Sequence, residues 1–385
     1  MARLILTAEN FAFGPIGKLL NIADLLKIQG HTLVFAGFGT SFQLAKNYSF
    51  DEVYEIDTDN PTSNNALEKI IGGGDLLISS MDLASVIVAK RLAKPVVWID
   101  CLFWFWESIF EPLFDIDLYI AERSLKYSAN ESVFGPKIKN FYGVGPILPV
   151  IKKATRKRQA LISYGGGEAA MWYKNGTDTN YSAVMTNILL KSVDWSYFDR
   201  VIVTTNERIL KELTDKFIGS IFEFTTCGSH NGFLKELSQS EILLTTAGLV
   251  TSQEAFESET PVIYLPPSNN SHYILQDELY NIGIVSTSVQ LSDFMPKLSL
   301  RGKAENESIA EVMSQLRDLE NSPIIQDKIG AKINNLVQKR LEWSTQSIED
   351  NKQFLESLGK NGAADAANKV NELLRQNHLW QELAP

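Results

Sequence analysis

The sequence is poor in the residues that mark several common classes of protein. Among its 385 residues are two cysteines, Cys101 and Cys227, and these are too few and too far apart for a disulfide framework or a zinc-binding pattern. The formal net charge is -10, which counts against a protein that follows the phosphates of a nucleic acid, because such proteins carry basic surfaces. We therefore expect no nucleic-acid partner.

Long apolar runs are also missing. The N-terminus MARLILTAEN lacks the apolar core of a signal peptide, and the most apolar stretch, residues 95–110, is interrupted by Asp100 and Glu107 and is too short to cross a bilayer. With 44% hydrophobic and 21% charged residues, the composition indicates a globular chain, which we expect in the cytoplasm. Peripheral contact with a membrane has no positive support, and the oligomeric state is left open.

What the chain does have is an alternation of short apolar runs and helix-period segments. This βα rhythm predicts parallel, doubly wound sheets. It pauses near residues 145–159, where two prolines precede five basic residues in seven, and then restarts. The predicted strands are 3–8, 31–37, 52–56, 75–80, 95–100, 160–163, 200–206, 220–225, 241–246 and 261–266.

The pattern therefore predicts an α/β protein of two Rossmann-like doubly wound domains with a helical C-terminal segment. We expect the first domain to span residues 1–148 and the second to span residues 159–345. Residues 346–385 form the helical segment, which we expect to pack back on the first domain.

One strand–turn–helix carries polar residues at a regular spacing. Gly248, Thr251 and Glu254 follow the apolar run 241–244 at three-residue steps. A glycine at the start of a helix lets a ligand approach free N–H groups, and the positive helix end favours phosphate. A carboxylate two turns further on suits a ribose diol. The alternative is an ordinary helix start with a solvent-facing Glu.

A glycine loop follows the first predicted strand of the second domain. Gly165, Gly166 and Gly167 could form converging N–H groups that hold an anion. The loop matches neither the GxGxxG dinucleotide fingerprint nor the P-loop, which needs a Lys followed by Ser or Thr. The alternative is a tight turn without a ligand.

With these motifs, the chain resembles glycosyltransferases of the GT-B fold, in particular UDP-glycosyltransferases and the peptidoglycan N-acetylglucosaminyltransferase. The donor motif of this family has a Gly, a Ser or Thr three residues later, a Glu six residues later and then an apolar strand ending in Pro, as in PVIYLP here. The opening strand, loop and helix, AFGPIGKLLNIADLLKIQGHTLVFAG, are also similar. The resemblance implies donor contacts from four further residues, Thr246, Ser271, His272 and Gln276.

The catalytic residues match the family less well. Many members have a histidine in the first loop as the base, where this chain has Gly14 followed by a proline. The candidate bases are Glu9, Asp82 and Asp100, each of which follows a predicted parallel strand or ends one. Each has a structural alternative, as a loop acid or, for Asp82, as the N-cap of a helix.

Two further features are candidates for ligand contacts. His230 follows a strand of the second domain and is a candidate contact to the nucleotide, with a structural role as its alternative. The aromatic cluster 98–106 includes Trp104 and Trp106, which together with Gly14 would line an acceptor pocket. Core packing is the alternative for these rings.

The function that these predictions favour is transfer of a sugar from a nucleotide-diphosphate sugar, a UDP-sugar by resemblance, to an unidentified small-molecule acceptor. The resemblance implies an inverting reaction with no metal and no cofactor. The alternatives are a nucleotide-sugar hydrolase or epimerase on the same scaffold, or a non-catalytic nucleotide-sugar-binding subunit, because the first-loop histidine is missing.

Overall fold

The chain forms two compact units. The computed structural model describes residues 1–167, 180–285 and 287–383, with residues 377–383 described by their backbone alone. The first unit comprises Met1–Pro149 and Glu356–Pro385, and the second comprises Val150–Leu355. Among the described helices, none is long and apolar enough to span a membrane.

The first unit is built on a seven-stranded sheet. Its strands and α-helices up to residue 149 are β1 (Arg3–Ala8), α1 (Gly14–Ile28), β2 (Thr32–Gly37), α2 (Gly39–Ala45), β3 (Glu52–Glu55), α3 (Asn64–Gly72), β4 (Leu76–Ser80), α4 (Leu83–Arg91), β5 (Val96–Asp100), β6 (Leu118–Glu122), α5 (Tyr127–Phe134) and β7 (Phe141–Val144). All strand pairs are parallel, in the order β3-β2-β1-β4-β5-β6-β7. The order reverses between β1 and β4, which defines a doubly wound sheet.

The central strand shows why this segment forms the middle of a parallel sheet. In β1, the last five residues are buried, and Leu4 pairs with Leu33 on one side and with Leu76 on the other. A strand covered by helices on both faces needs a nearly continuous apolar run, and RLILTA supplies one.

The second unit has a five-stranded sheet of the same kind. Its strands and α-helices, among the described residues, are β8 (Lys157–Ser163), α6 (Tyr181–Ser192), β9 (Arg200–Thr204), α7 (Glu207–Lys216), β10 (Phe222–Thr225), α8 (His230–Gln239), β11 (Ser240–Thr245), α9 (Leu249–Glu257), β12 (Val262–Tyr264), α10 (Asn270–Asn281), α11 (Glu305–Glu320), α12 (Pro323–Gln338) and α13 (Arg340–Ser357). The strands are again parallel, in the order β10-β9-β8-β11-β12, with the reversal between β8 and β11.

Helix α7 illustrates how local sequence sets these elements. Asn206 caps its first turn by accepting a hydrogen bond from the Ile209 N–H at 2.8 Å. Ile209 and Leu213, one turn apart, are buried against the core, while Lys216 lies in the last turn, where a positive charge is favourable.

The last helix, α14 (Gly362–Leu383), belongs to the first unit. Its small side chains, among them Ala366 and Ala367, are buried in the same core cluster as α1. At its start the backbone approaches very closely: a Cβ added at Gly145 would lie 1.9 Å from the carbonyl oxygen of Lys360. Only glycine fits at that position.

The predicted fold class is confirmed: both units are doubly wound α/β structures with parallel sheets, and the chain ends in helices. Ten of the strands coincide with the predicted ones. Strands β6 and β7 and helices α5, α6 and α7 are not predicted by the sequence patterns. Strand β6 is buried along its whole length but lies between acidic residues, and its pairing with β5 and β7 determines its conformation.

Candidate functional site

The predicted donor residues of the second unit follow the ends of its parallel strands. The strand order reverses between β8 and β11, and the two predicted glycine motifs follow these two strands. In doubly wound sheets, ligands bind at the carboxyl ends of the strands at such a reversal. The sheet order therefore puts both motifs at the edge where a ligand is expected.

The glycine loop after β8 has a backbone that favours glycine. Gly165 and Gly167 have φ angles of +61° and +58°. The carbonyl of Gly165 accepts a hydrogen bond from Thr205 Oγ1 at 3.1 Å, and that of Gly166 accepts one from Asn206 Nδ2. The loop carbonyls are therefore held by side chains that follow β9.

The two residues that hold this loop are not among those predicted from the sequence. Thr205 and Asn206 are buried directly after β9, and Asn206 also caps α7. The signal was present in the sequence, since an Asn between an apolar strand and the acidic start of a helix is typical of an N-cap. Its second contact, to the glycine loop, depends on the pairing of β8 with β9.

Gly248 is the residue that precedes α9. In the part of the chain that the structure describes, no side-chain hydrogen bond caps this helix start, and the φ of Gly248 is -83°, an angle that any residue can adopt. A Cβ added at Gly248 would have a single near neighbour among the described residues, His272 Nε2 at 3.5 Å. The fold itself therefore does not demand a glycine here, whereas a ligand in close contact with the backbone would.

Glu254 lies two turns into α9 and is paired with a histidine. Its carboxylate Oε1 is 2.6 Å from Nε2 of His230, and the Glu254 side chain is 3% exposed. His230 begins α8, where Ser229 is the N-cap and accepts a hydrogen bond from the Gly232 N–H at 3.1 Å. The structure thus brings together two residues that the sequence analysis singled out separately.

His272 lies in the first turn of α10 beside the start of α9. Its Nδ1 is 3.0 Å from Ser268 Oγ, and its backbone N–H donates to Asn269 Oδ1 at 2.8 Å. Burial lowers the pKa of the imidazole to about 4, because the charged form loses solvation. The imidazole is therefore neutral near pH 7, with Nε2 directed toward Gly248.

The other predicted donor residues are buried near these groups. Ser271 donates to Asn269 Oδ1 at 2.9 Å, and the Gln276 amide donates to Ser288 Oγ at 2.6 Å. Thr246 is buried after β11, and Thr251 is half-buried in the first turn of α9. The internal contacts of Ser271 and Gln276 favour a supporting role for them, and their donor contacts stay predictions.

The three acidic candidates of the first unit have different surroundings. Asp82 is buried and caps α4, where it accepts hydrogen bonds from the Ser85 N–H at 3.2 Å and from Ser85 Oγ at 2.5 Å. This is the structural alternative that the sequence left open for Asp82. Glu9 follows β1, is half-buried, and donates its backbone N–H to the Ser80 carbonyl at 2.9 Å.

Asp100 is buried at the end of β5 and accepts three hydrogen bonds. The donors are the Leu102 N–H at 2.8 Å, Trp106 Nε1 at 2.9 Å and the hydroxyl of Tyr119. Burial nevertheless raises the pKa of the carboxyl group to about 6, with these donors acting in the opposite direction. By accepting hydrogen bonds from Leu102 and Trp106, Asp100 holds the loop that follows β5.

The aromatic cluster after β5 is divided between core and surface. Phe103 and Trp104 are buried, whereas Trp106 is half-buried next to the exposed ring of Phe110. Asn130 Nδ2 holds this loop by donating to the carbonyls of Phe103 at 2.6 Å and Trp106 at 3.1 Å. Core packing therefore accounts for Trp104, and the acceptor role of Trp106 stays a prediction.

Gly14, the third predicted acceptor residue, is the first residue of α1. It is half-buried and is followed by a proline at a position where the missing N–H costs no helical hydrogen bond. Within the described ranges, no group of three or more His, Cys, Asp and Glu side chains is arranged to hold a metal ion.

Comparison with known proteins gives structural similarity without sequence similarity. No family model and no curated protein matches the chain. Among solved structures, UGT89C1 of Arabidopsis thaliana complexed with quercetin has a TM-score of 0.56 at 10% identity, covering 97% of this chain and 100% of that one. TcCGT1 in complex with UDP has a TM-score of 0.52 at 12% identity, covering 98% and 100%.

A third solved structure, the spinosyn forosaminyltransferase SpnP, has a TM-score of 0.51 at 12% identity, covering 97% of this chain and 99% of that one. At these identities the likeness concerns the fold. It extends over nearly the full length of each chain, so it includes both units and the C-terminal helices. The chain has the fold of the GT-B glycosyltransferases.

Proposed function

We propose that this protein is a glycosyltransferase that uses a nucleoside-diphosphate sugar, with a UDP-sugar as the first candidate. The observation that carries the proposal is the arrangement at the carboxyl edge of the second sheet. There, the glycine loop after β8 and the uncapped start of α9 flank the strand reversal, and Glu254 lies two turns along the same helix.

The diphosphate would be held by backbone N–H groups. Among the described residues no side-chain hydrogen bond caps the start of α9, so its first N–H groups could bind an anion, and the helix dipole adds positive potential. Gly165 and Gly167 give the facing loop a backbone with positive φ, as in anion-binding loops. Such donors also stabilise the negative charge that develops on the leaving diphosphate during transfer.

The nucleoside and the sugar would be held by side chains. Glu254 would accept a hydrogen bond from a ribose hydroxyl. His272 is neutral near pH 7, so its imidazole can form a hydrogen bond with a ligand beside Gly248. In the empty site the neutral ring adds no unpaired positive charge. This position suits a contact to the diphosphate or to the transferred sugar.

For the acceptor, we propose Glu9 as the base that removes its proton. Glu9 follows β1, beside the reversal of strand order between β1 and β4, which is where doubly wound sheets bind their ligands. We propose an inverting reaction without a metal ion, as the resemblance implies. Transfer in the presence of excess EDTA would test the metal independence.

Calorimetric titration of the protein with UDP, dTDP, GDP and ADP tests the donor site. We expect one diphosphate to bind and Glu254→Ala to weaken it by about 1–3 kcal/mol, the size of a hydrogen bond to a charged group. Glu257→Ala is the matched control, because Glu257 lies on the same helix and is exposed. Absence of binding by all four nucleotides would refute the proposal.

Turnover assays then separate the alternatives. Release of free sugar without any acceptor would favour the hydrolase, and interconversion of the donor sugar would favour the epimerase. A protein that binds the donor without turning it over, and whose donor affinity is unchanged by Glu9→Gln, would favour a non-catalytic binding subunit.

A further inference from the structure

The carboxylate proposed to contact the ribose has one oxygen already engaged. Oε1 of Glu254 lies 2.6 Å from Nε2 of His230, and the two side chains are 3% and 13% exposed. Among the described residues, His230 is the hydrogen-bond partner that this carboxylate has. The engaged oxygen is therefore covered by the imidazole.

The backbone before His230 is shaped to place this imidazole. Cys227 and Gly228 have φ angles of +58° and +70°, and a non-glycine residue at such an angle is uncommon. A Cβ added at Gly232 would lie 1.9 Å from the carbonyl oxygen of Cys227, so the first turn of α8 packs directly on this bend. The pair thus rests on a tight turn and a helix N-terminus, which fix where His230 lies.

This pairing limits how the carboxylate can bind a ribose. A carboxylate that binds a vicinal diol in bidentate fashion uses one oxygen for each hydroxyl. With Oε1 taken by His230, Oε2 is the oxygen left for the ligand. Because the Glu254 side chain is almost completely buried against this imidazole, a second hydroxyl at Oε1 would have to share the oxygen with His230 or displace it.

We propose that His230 determines specificity for the nucleoside: it restricts Glu254 to one hydroxyl of the ribose, so that the site contacts either the 2′- or the 3′-hydroxyl and tolerates loss of the other. This inference rests on the proposed donor site. It makes the ligand class broader than ribonucleoside diphosphates, because one of the two deoxy forms binds about as well as the parent.

The test compares three ligands with the same base: UDP, 2′-deoxy-UDP and 3′-deoxy-UDP, or the corresponding set for whichever base binds. For the wild-type protein, calorimetry should show one deoxy form within about threefold of UDP and the other weaker by at least about tenfold, the size of one charge-assisted hydrogen bond. Under the same conditions, His230→Ala frees Oε1, so both deoxy forms should then bind at least about tenfold more weakly than UDP.

His230→Gln is the conservative control, since an amide N–H can replace the imidazole N–H on Oε1 and should restore the wild-type pattern. The inference is overturned if the wild type binds both deoxy forms about as well as UDP. It is equally overturned if the wild type binds both of them at least about tenfold more weakly than UDP. It is also overturned if His230→Ala leaves the pattern unchanged or abolishes UDP binding. Failure of every nucleotide to bind the wild type would instead refute the donor site itself.

Discussion

Nζ of Lys18 lies 2.7 Å from Oε1 of Glu122 inside the first unit, and the two side chains are 1% and 0% exposed. The ammonium group also donates to the carbonyl of Ile147 at 2.9 Å, and the same carboxylate oxygen accepts from the Ile147 N–H at 3.0 Å. The pair thus connects α1, the end of β6 and the segment that follows β7.

Replacing Lys18 should destabilise the first unit strongly. Lys18→Met removes the ammonium group beside the buried Glu122 carboxylate, and removing one partner of a buried ion pair costs about 3–5 kcal/mol in comparable cases. The free energy of unfolding, measured by urea denaturation, should fall by that amount. Lys153→Met is the control, because Lys153 is 83% exposed in its pair with Glu259 and exposed pairs contribute about 0–1 kcal/mol. Equal effects of the two substitutions would contradict the prediction.

Asp100 should make the stability of the protein depend on pH. The folded protein raises the pKa of this carboxyl group from 3.8 to about 6, so it holds the proton more tightly than the unfolded chain does. This contribution to stability is complete below about pH 4 and is lost as the pH rises through about 6.

Relative to Asp100→Asn, the wild type should therefore lose about 2 kcal/mol of unfolding free energy between about pH 4 and pH 7. Urea denaturation of both proteins at four pH values measures this difference. The change of this difference with pH is the diagnostic quantity, because any pH-independent effect of the Asp100→Asn substitution on the unfolding free energy cancels. A constant difference across the range would show that Asp100 is ionised in the folded protein as readily as in the unfolded chain.

Gly248 should be dispensable for folding and necessary for binding. Its φ of -83° suits any residue, and of the described atoms a Cβ would meet only His272 Nε2, at 3.5 Å. Gly248→Ala should therefore change the unfolding free energy by less than about 1 kcal/mol. The methyl group would occupy the space where the diphosphate is proposed to approach the backbone, so nucleotide affinity should fall by at least about tenfold. Unchanged affinity in calorimetry would remove Gly248 from the donor site.

Gly165 and Gly167 form a matched pair for the glycine loop. Their φ angles, +61° and +58°, are nearly equal, but an added Cβ meets no atom of the described residues within 4 Å at Gly165 and lies 2.6 Å from Ile209 Cδ1 at Gly167. Gly165→Ala should cost about 1–2 kcal/mol from the backbone angle alone. Gly167→Ala should cost more, and thermal or urea unfolding of the two variants isolates the packing contribution of Ile209.

His272 should report on the diphosphate. In the free protein burial lowers the pKa of its imidazole to about 4, so its NMR signals should not titrate between about pH 8 and pH 6. A bound diphosphate places negative charge near Nε2 and should raise this pKa. If saturating UDP leaves the titration of His272 unchanged, the imidazole does not contact the phosphates.

Much of the architecture follows from local sequence. The predicted strand 241–246 agrees within one residue with β11, and the helix start predicted at Gly248 is the start of α9, because an apolar run and a following glycine are short-range signals. Strand β6 was missed because its conformation depends on pairing with β5 and β7, and its neighbouring acidic residues interrupt the apolar pattern.

The sequence by itself determined that the chain forms two doubly wound α/β units and that glycine motifs follow β8 and β11, since alternating apolar runs can be buried in few other ways. Only the tertiary structure decided the partners of the polar side chains. Lys18 meets Glu122 and His230 meets Glu254 because the strand order brings distant segments together. No local pattern encodes such a contact, because its energy depends on burial and on distances that exist only once the sheets have formed.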